Sequence, residues 1–236
     1  MISMKSFVCL LVVSLVAAAC SRSMQAPALP VAGMNWHAAH ADAKNSDYSP
    51  VTGGKQVSMI WQKKFSGTIN LGPTTNDKGV VFVTTSAPGC HLYALDPVTG
   101  KELWCTDKVN KYAVASSALI GRENRLFIAD DQAMFAFDHD GNMLWSHSID
   151  GFPLSAQFTH TGRILFITHI GKLYVLEQVT GEPLINGELL SANTPPTGDF
   201  DPRACMRGTA DCPCANTLAY DSASGRFYFT YWQPGT

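Results

Sequence analysis

The chain has 236 residues, of which 46% are hydrophobic and 15% are charged. An average soluble protein has about 25% charged residues, so this composition is globular but low in charge. Lys plus Arg number 17 and Asp plus Glu 19, and a net charge of -2 provides no basic field for nucleic-acid binding. The 19 Gly and 13 Pro favour a turn-rich, all-β fold.

The first nineteen residues have the pattern of an export signal. Lys5 precedes an apolar run, residues 7–19, that is shorter than the ~20 residues a membrane-spanning helix needs. The run ends in small residues before Cys20 and resembles a bacterial lipobox, so lipidation of Cys20 is predicted after removal of residues 1–19. Ser21, and not Asp, follows Cys20, and the resemblance to known lipoproteins then implies the outer membrane. Ordinary cleavage after Ala19, leaving Cys20 unmodified, is the alternative.

Residues 20–35 are rich in Ser, Ala and Pro and are predicted to be a flexible tether. The remaining residues, 36–236, form the predicted folded domain. Because an exported protein enters an oxidising compartment, disulfides are the expected use of its other cysteines.

A unit of about forty residues occurs three times. Each copy has an aromatic residue in a strand-like run, a turn glycine, and a bulky apolar residue four positions after that glycine. The alternating apolar run predicts a half-buried strand, the glycine a tight turn, and the next strand returns its Trp to the same apolar layer. The three sets are Tyr93, Gly100 and Trp104; Phe135, Gly141 and Trp145; and Tyr174, Gly181 and Ile185.

Two further strand-like runs precede each of these hairpins. They cover residues 72–75 and 80–84, 117–120 and 125–129, and 155–159 and 164–168. Four strands in about forty residues predict the blade of a β-propeller. No stretch of residues 36–236 has a convincing helical period.

The predicted propeller is incomplete. Residues 60–65, with Trp61, resemble the outermost strand of another blade, and residues 216–220 and 227–231 resemble the first two strands of a fourth. The sequence thus predicts an arc of about three and a half blades, a fragment of a seven- or eight-bladed propeller. A short chain that closes by oligomerising is the alternative.

The run from Leu92 to Trp104 resembles the consensus of the PQQ-like, or quinoprotein-type, β-propeller repeat. This resemblance extends over roughly residues 35–236 and implies four-stranded antiparallel blades. It says little about activity, because one fold supports many functions.

The opening of the domain also resembles that of PQQ-dependent alcohol dehydrogenases, at Asn35-Trp36 and at residues 45–50. The resemblance implies a quinone held by a Glu in the first blade and by a vicinal Cys pair. This sequence has Asn70 at the Glu position, and Cys105 is followed by Thr106. We therefore predict no catalytic, cofactor-binding or metal-binding residue. PQQ with calcium is expected only if the protein is a dehydrogenase.

Five cysteines are candidates for disulfides. Cys90 is expected to open the third strand of the first blade and Cys105 to end the fourth, so the two fall opposite each other and a cross-strand disulfide is possible. Cys205, Cys212 and Cys214 lie in a predicted insertion at 191–214. They could form a metal site, but no His follows residue 191. One local disulfide, with a thiol that pairs elsewhere, is the favoured interpretation.

The insertion is expected to share one rim of the propeller with the loops at 86–89, 130–132 and 169–171, because these connections leave the same end of the strands. The sequence thus predicts a periplasmic binding or scaffold propeller without catalysis. Its partners would be envelope proteins bound at the loop rim or the blade edges, and its membrane contact the lipid anchor alone. This design resembles the propeller lipoprotein of the outer-membrane β-barrel assembly machinery. The alternative is a quinoprotein dehydrogenase or a degenerate relative.

Overall fold

The computed structural model describes residues 36–42, 45–50, 52, 55–190, 204–205, 207, 209, 212–214, 216–221 and 223–231. The signal peptide, Cys20 and the tether lie outside the described residues, as does most of the insertion predicted at 191–214. Within the described ranges no helix is long and apolar enough to cross a membrane.

Three antiparallel sheets of four strands follow one another along the chain, and in each the strands pair in chain order. Blade 1 contains β1 (Thr74–Thr75), β2 (Val81–Thr84), β3 (Leu92–Leu95) and β4 (Glu102–Thr106). Blade 2 contains β5 (Leu119–Ile120), β6 (Leu126–Ala129), β7 (Ala133–Phe137) and β8 (Met143–Ser148). Blade 3 contains β9 (Pro153–Phe158), β10 (Ile164–Thr168), β11 (Lys172–Leu176) and β12 (Pro183–Leu189).

A fourth sheet has two strands, β13 (Ala219–Asp221) and β14 (Arg226–Tyr228). Both are shorter than the runs predicted at 216–220 and 227–231. The first strands of successive sheets contact one another, β1 with β5, β5 with β9 and β9 with β13. This arrangement around a common centre confirms the predicted all-β propeller fold, here as three blades and two strands of a fourth.

The hydrophobic core lies between the blades. Phe82 of blade 1 packs with Ile128 of blade 2, and Phe127 on the other face of blade 2 packs with Phe158 of blade 3. Strands β4, β8 and β12 are largely exposed. Inner strands are therefore buried on both faces, as their continuous apolar runs require.

The turn before each outer strand is held by a side chain. In blade 1 the Asp96 carboxylate accepts hydrogen bonds from the Thr99 hydroxyl and from the N–H groups of Val98 and Thr99. The bonds from Thr99 are the main cause that lowers the pKa of Asp96. Gly100 closes the turn with a φ of 66°, a conformation that glycine adopts without steric cost.

Each repeat tryptophan docks on the turn of the next blade. The indole Nε1 of Trp104 donates to the carbonyl of His139 at 2.9 Å, and the ring covers Gly141. Trp145 makes the same contact with Gln178 and Gly181, and Trp61 makes it with Pro97 and Gly100.

Two sequence expectations need correction at this contact. Trp104 lies opposite Ala94 in the register and Tyr93 lies opposite Cys105, so Trp104 and Tyr93 are on opposite faces of the blade. Trp104 instead packs in the apolar layer between blades 1 and 2, against the same core cluster as Phe135 of blade 2. Residues 60–65 form no strand in the described part of the chain, although Trp61 docks as expected.

Two short 3-10 helices interrupt the β structure, at Lys111–Ala115 and Arg122–Asn124. Neither is long enough to produce a helical period in the sequence. The first is capped by Asn110, whose side chain accepts a hydrogen bond from the N–H of Tyr112 at 2.8 Å.

The N-terminal segment of the domain ties the inner strands together. Trp36 exchanges two hydrogen bonds with Thr75 at the end of β1, and the His37 carbonyl accepts one from Ile120 of β5. Ala38 of the same segment is buried in the core. Blades 1 and 2 are thus joined through residues that precede both of them.

Asn45 extends this connection to the other two sheets. Its side-chain nitrogen donates to the carbonyl of Leu218 at 3.0 Å, and its side-chain oxygen accepts from the buried Gln157 at 2.9 Å. The φ of Asn45 is 53°, which Asn tolerates better than most residues. The segment at residues 45–50, which resembles the start of the domain in PQQ-dependent alcohol dehydrogenases, therefore stabilises the fold through Asn45.

Candidate functional site

One end of the blades carries the β4–β5 connection, which is the longest between two strands of blades 1 to 3. The β2–β3, β6–β7 and β10–β11 loops emerge there because the strands alternate in direction, and the β4–β5 connection with the 3-10 helix Lys111–Ala115 joins them. Cys205 and Cys212 of the insertion are buried against Ala115 and Phe152 at this end. These two cysteines therefore lie at the rim, whereas most of the insertion lies outside the described residues.

Two disulfides stabilise this rim. Cys90, in the loop before β3, is bonded to Cys105 of β4 across a Cα–Cα distance of 5.7 Å. The register places Tyr93, and not Cys90, directly opposite Cys105, so the bond links the rim loop to the outer strand. The second disulfide joins Cys205 to Cys212, also with 5.7 Å between the Cα atoms.

Cys214 has a free thiol, buried against Leu165, Leu173 and Leu218. Burial in these apolar surroundings raises its pKa, which keeps the thiol protonated and unreactive. Among the described residues no three His, Cys, Asp or Glu side chains come together as a metal site.

His169 supports the same rim from inside. Its ring stacks on Phe152 at 4.3 Å between centroids, and its Nδ1 accepts a hydrogen bond from the Phe152 N–H at 3.1 Å. Burial lowers the pKa of His169 to about 4, so the ring is neutral at ordinary pH. We interpret His169 as a structural residue of the rim.

A two-part cavity opens where the innermost strands begin, and we call it the rim cavity. Its parts have volumes of about 500 Å³ and about 530 Å³ and share Asn70 and Arg207. The first part is also lined by Thr68, Ser86, Lys111, Tyr112 and Val114. The second part is also lined by Ile69, Leu71, Ala115, Leu154 and Cys205.

Close backbone packing forms one wall of the rim cavity. The N–H of Thr68 donates to the Ser86 hydroxyl at 2.9 Å, and the N–H of Ser86 donates to the Thr68 carbonyl at 3.0 Å. A Cβ on Gly67 would lie 2.0 Å from the backbone nitrogen of Ala87, so only glycine allows this approach.

The sequence singled out one residue of the rim cavity, Asn70, and missed its two cations and its aromatic side chain. Lys111 and Tyr112 belong to a loop with no repeat signature, and Arg207 lies in the insertion. The position of Arg207 between two cysteines seven residues apart was the available signal.

The residues present do not fit the quinone that the family resemblance implies. Asn70 provides a neutral amide where a carboxylate is expected. Cys105 is bonded to Cys90, fifteen residues away, and its neighbour Thr106 has a hydroxyl that accepts from the N–H of Lys108. Both quinone-contacting features that can be compared thus differ from the family pattern, and Cys105 and Thr106 have other roles.

Comparisons with known proteins agree with this architecture. The family model PQQ_2, described as "Outer membrane protein assembly factor BamB", matches residues 46–200. Protein Rv3035 of Mycobacterium tuberculosis is 28% identical over 215 residues, which cover 85% of this chain and 49% of that protein. The outer membrane protein assembly factor BamB of Nitrosomonas eutropha is 30% identical over 128 residues, covering 53% of this chain and 30% of that protein.

Among solved structures, a europium-containing methanol dehydrogenase superposes with a TM-score of 0.57 at 17% identity, covering 86% of this chain and 43% of that one. At this identity the likeness concerns the fold alone. The chain spans about half the length of Rv3035 and a smaller share of the Nitrosomonas protein.

Proposed function

Since the chain belongs to the BamB family of PQQ-like propellers, we propose that it is a binding or scaffold protein of the cell envelope without catalytic activity. The observation that carries this proposal is the use of Cys105. Where the resemblance implies a vicinal pair at a quinone, this chain uses Cys105 to join the rim loop to β4. In this chain Cys105 therefore stabilises the rim.

Two surfaces can hold an envelope protein. The first is the loop rim, where the Cys205–Cys212 disulfide and the stacked pair of Phe152 and His169 support the insertion. Loops carried on a rigid scaffold are common binding surfaces.

The second surface is the outer edge of the blades. One leucine stands exposed before the docking position in each outer strand. Leu103 is 52% exposed, Leu144 45% and Leu184 47%. The outer strands also present free backbone groups, which can pair with a strand of another protein.

Location in the envelope follows from the same proposal. Lipidation of Cys20 would hold the propeller at the outer membrane through a short tether, with the rim free to meet partners. The matching family model and the Nitrosomonas relative support an envelope role, since both are named as outer membrane protein assembly factor BamB.

The proposal is tested by three measurements on the whole protein. Mild cross-linking of intact cells followed by purification should recover envelope proteins with it, and the purified protein should show no quinone absorbance. The third is an assay of alcohol-dependent dye reduction after addition of PQQ and calcium, with a known quinoprotein dehydrogenase as positive control. Dye reduction above the protein-free background would overturn the scaffold proposal in favour of the dehydrogenase.

A further inference from the structure

We propose that the rim cavity binds a neutral oligosaccharide that carries N-acetyl groups. This inference goes beyond the scaffold function and does not depend on it. It starts from polar side chains that line the rim cavity and have hydrogen-bonding capacity left for a ligand.

Three polar groups of the lining make no hydrogen bond within the part of the chain that the structure describes. They are the Asn70 amide, the Thr68 hydroxyl and the Tyr112 hydroxyl. The Ser86 hydroxyl accepts from the N–H of Thr68 and still has its own hydrogen to donate. Because hydroxyl and amide groups both donate and accept, this lining pairs best with a ligand that is rich in neutral groups of the same kinds.

The rim cavity offers little to a charged ligand. Arg207 lines it but already has an interaction within the chain. Lys111 is exposed, and an exposed lysine attracts an anion only weakly, because water and salt screen its charge. No carboxylate is among the described residues of the lining, so a cation has no counter-charge there.

Both parts of the rim cavity mix polar and apolar surface in comparable amounts. A sugar ring has the same mixed character, because its hydroxyls project from the edge of the ring and its C–H groups form two apolar faces. Val114 in the first part and Leu154 in the second can cover such faces. The volumes, about 500 Å³ and about 530 Å³, lie in the range of small-molecule sites and leave room for one ring in each part.

Asn70 accounts for the N-acetyl group. It lines both parts, so its amide lies where they meet. A side-chain amide presents a donor and an acceptor in one plane and can pair with a second amide through two hydrogen bonds. An N-acetyl group supplies that second amide together with a methyl group, which Ile69 and Leu71 can cover. This selects an N-acetylated sugar over one with hydroxyls alone.

The lining is held in place before a ligand binds. Thr68 and Ser86 are joined by two hydrogen bonds, of 2.9 Å and 3.0 Å. Asn110 fixes the backbone at Tyr112 by capping its 3-10 helix. Little ordering is then needed when the ligand binds, which favours affinity.

The test uses N,N′-diacetylchitobiose as the probe and cellobiose as the matched control, since the two disaccharides share their linkage and differ in acetamido groups against hydroxyls. Calorimetric or NMR titration of the whole protein should show binding of N,N′-diacetylchitobiose and about tenfold weaker binding, or none, of cellobiose. Equal binding of the two sugars, or no binding of either, would overturn the proposal. Raising the ionic strength should leave the affinity unchanged, and a loss of about tenfold would contradict a neutral ligand.

Two substitutions locate the site. Asn70→Leu, which is similar in size, removes the donor and the acceptor and should weaken binding of N,N′-diacetylchitobiose about fivefold or more. Tyr112→Phe removes one hydroxyl and should weaken it about threefold or more. The matched control is Tyr228→Phe on the fourth sheet, where the side chain is 57% exposed, and it should leave the affinity unchanged. An unchanged affinity in Asn70→Leu, or an equal loss in the two tyrosine variants, would place the ligand elsewhere and refute the assignment.

Discussion

The Trp104 ring lies so close to Gly141 that a Cβ on this glycine would be 2.7 Å from the indole Cδ2. The same ring donates its Nε1–H to the carbonyl of His139 in the same turn. The two residues that most clearly mark the sequence repeat are therefore the two sides of one contact between blades. Stability of the blade stack should depend on both.

We expect Gly141→Ala to lower the free energy of unfolding by about 3 kcal/mol. The φ of 86° costs an L-residue ~1–2 kcal/mol, and the clash with the Trp104 ring adds ~1–3 kcal/mol. Gly89→Ala is the matched control, because Gly89 has a φ of 92° but nothing within 4 Å of its Cβ position. Urea denaturation should show a loss of only about 1 kcal/mol for the control. Equal losses would mean that backbone strain alone accounts for the glycine.

Trp104→Ala should lower the free energy of unfolding by ~3–5 kcal/mol, since it removes a packed aromatic ring between blades. Leu103→Ala, at the neighbouring exposed position, should change it by less than about 0.5 kcal/mol. Denaturant titration of both variants checks this difference. A loss below about 1 kcal/mol for Trp104→Ala would contradict the docking contact.

The Cys90–Cys105 disulfide closes a loop of fifteen residues and should stabilise the fold by ~3 kcal/mol. The double variant C90S/C105S should therefore unfold at lower denaturant concentration in oxidising buffer. Wild-type protein in strong reductant provides the comparison, and its midpoint should move towards that of the variant. Identical midpoints for variant and oxidised wild type would show that the bond contributes nothing.

Asn45→Ala should lower the free energy of unfolding by ~2–4 kcal/mol. The change removes the closer of the two acceptors of the buried Gln157 amide, leaving the Asp42 carbonyl at 3.5 Å, and it removes the bond to Leu218, losses of ~1–3 kcal/mol; it also puts Ala at a positive φ. Asn45→Gly removes the same bonds without the backbone strain and should be about 1 kcal/mol less severe. If urea denaturation gives Asn45→Gly the same free energy of unfolding as the wild type, the hydrogen bonds of Asn45 do not stabilise the contact between the sheets.

Stability should fall as the pH drops from 6.5 towards 4. Because burial lowers the pKa of His169 to about 4 in the folded protein, the unfolded chain binds a proton in this range that the folded chain does not. The expected loss reaches about 3 kcal/mol near pH 4. Urea denaturation at pH 7, 5.5 and 4.5 measures the slope. His169→Phe, which keeps a ring against Phe152, should flatten it, and an unchanged slope would assign it to other groups.

The sequence predicted the blades because their determinants are local. Alternating apolar residues and a glycine turn such as Asp96 to Gly100 lie within a few positions of one another, so one repeat defines its own hairpin. Because each hairpin pairs strands that are consecutive in the chain, the order of strands in each sheet could be predicted as well. Strand ends were less certain, as in β13 and β14, where few neighbouring strands are present to fix them.

The rim cavity could not be predicted in the same way. Its lining comes from three separate connections, with Asn70, Lys111 and Arg207, and from Leu154 of β9, which meet only in the folded chain. The acceptor of the Trp104 indole lies 35 residues away, and Asn45 reaches Leu218 across 173 residues. A local sequence pattern gives no information about contacts between residues that are so far apart in the sequence.

The central claim is that this propeller binds envelope proteins through its loop rim. The most direct test places a photo-cross-linking amino acid at Gln132 on the rim and, as control, at Lys101 on the opposite end, each in the whole protein in living cells. The account predicts discrete adducts with envelope proteins from position 132 that are absent or much weaker from position 101. Equal adducts from both positions, or none from either, would contradict it.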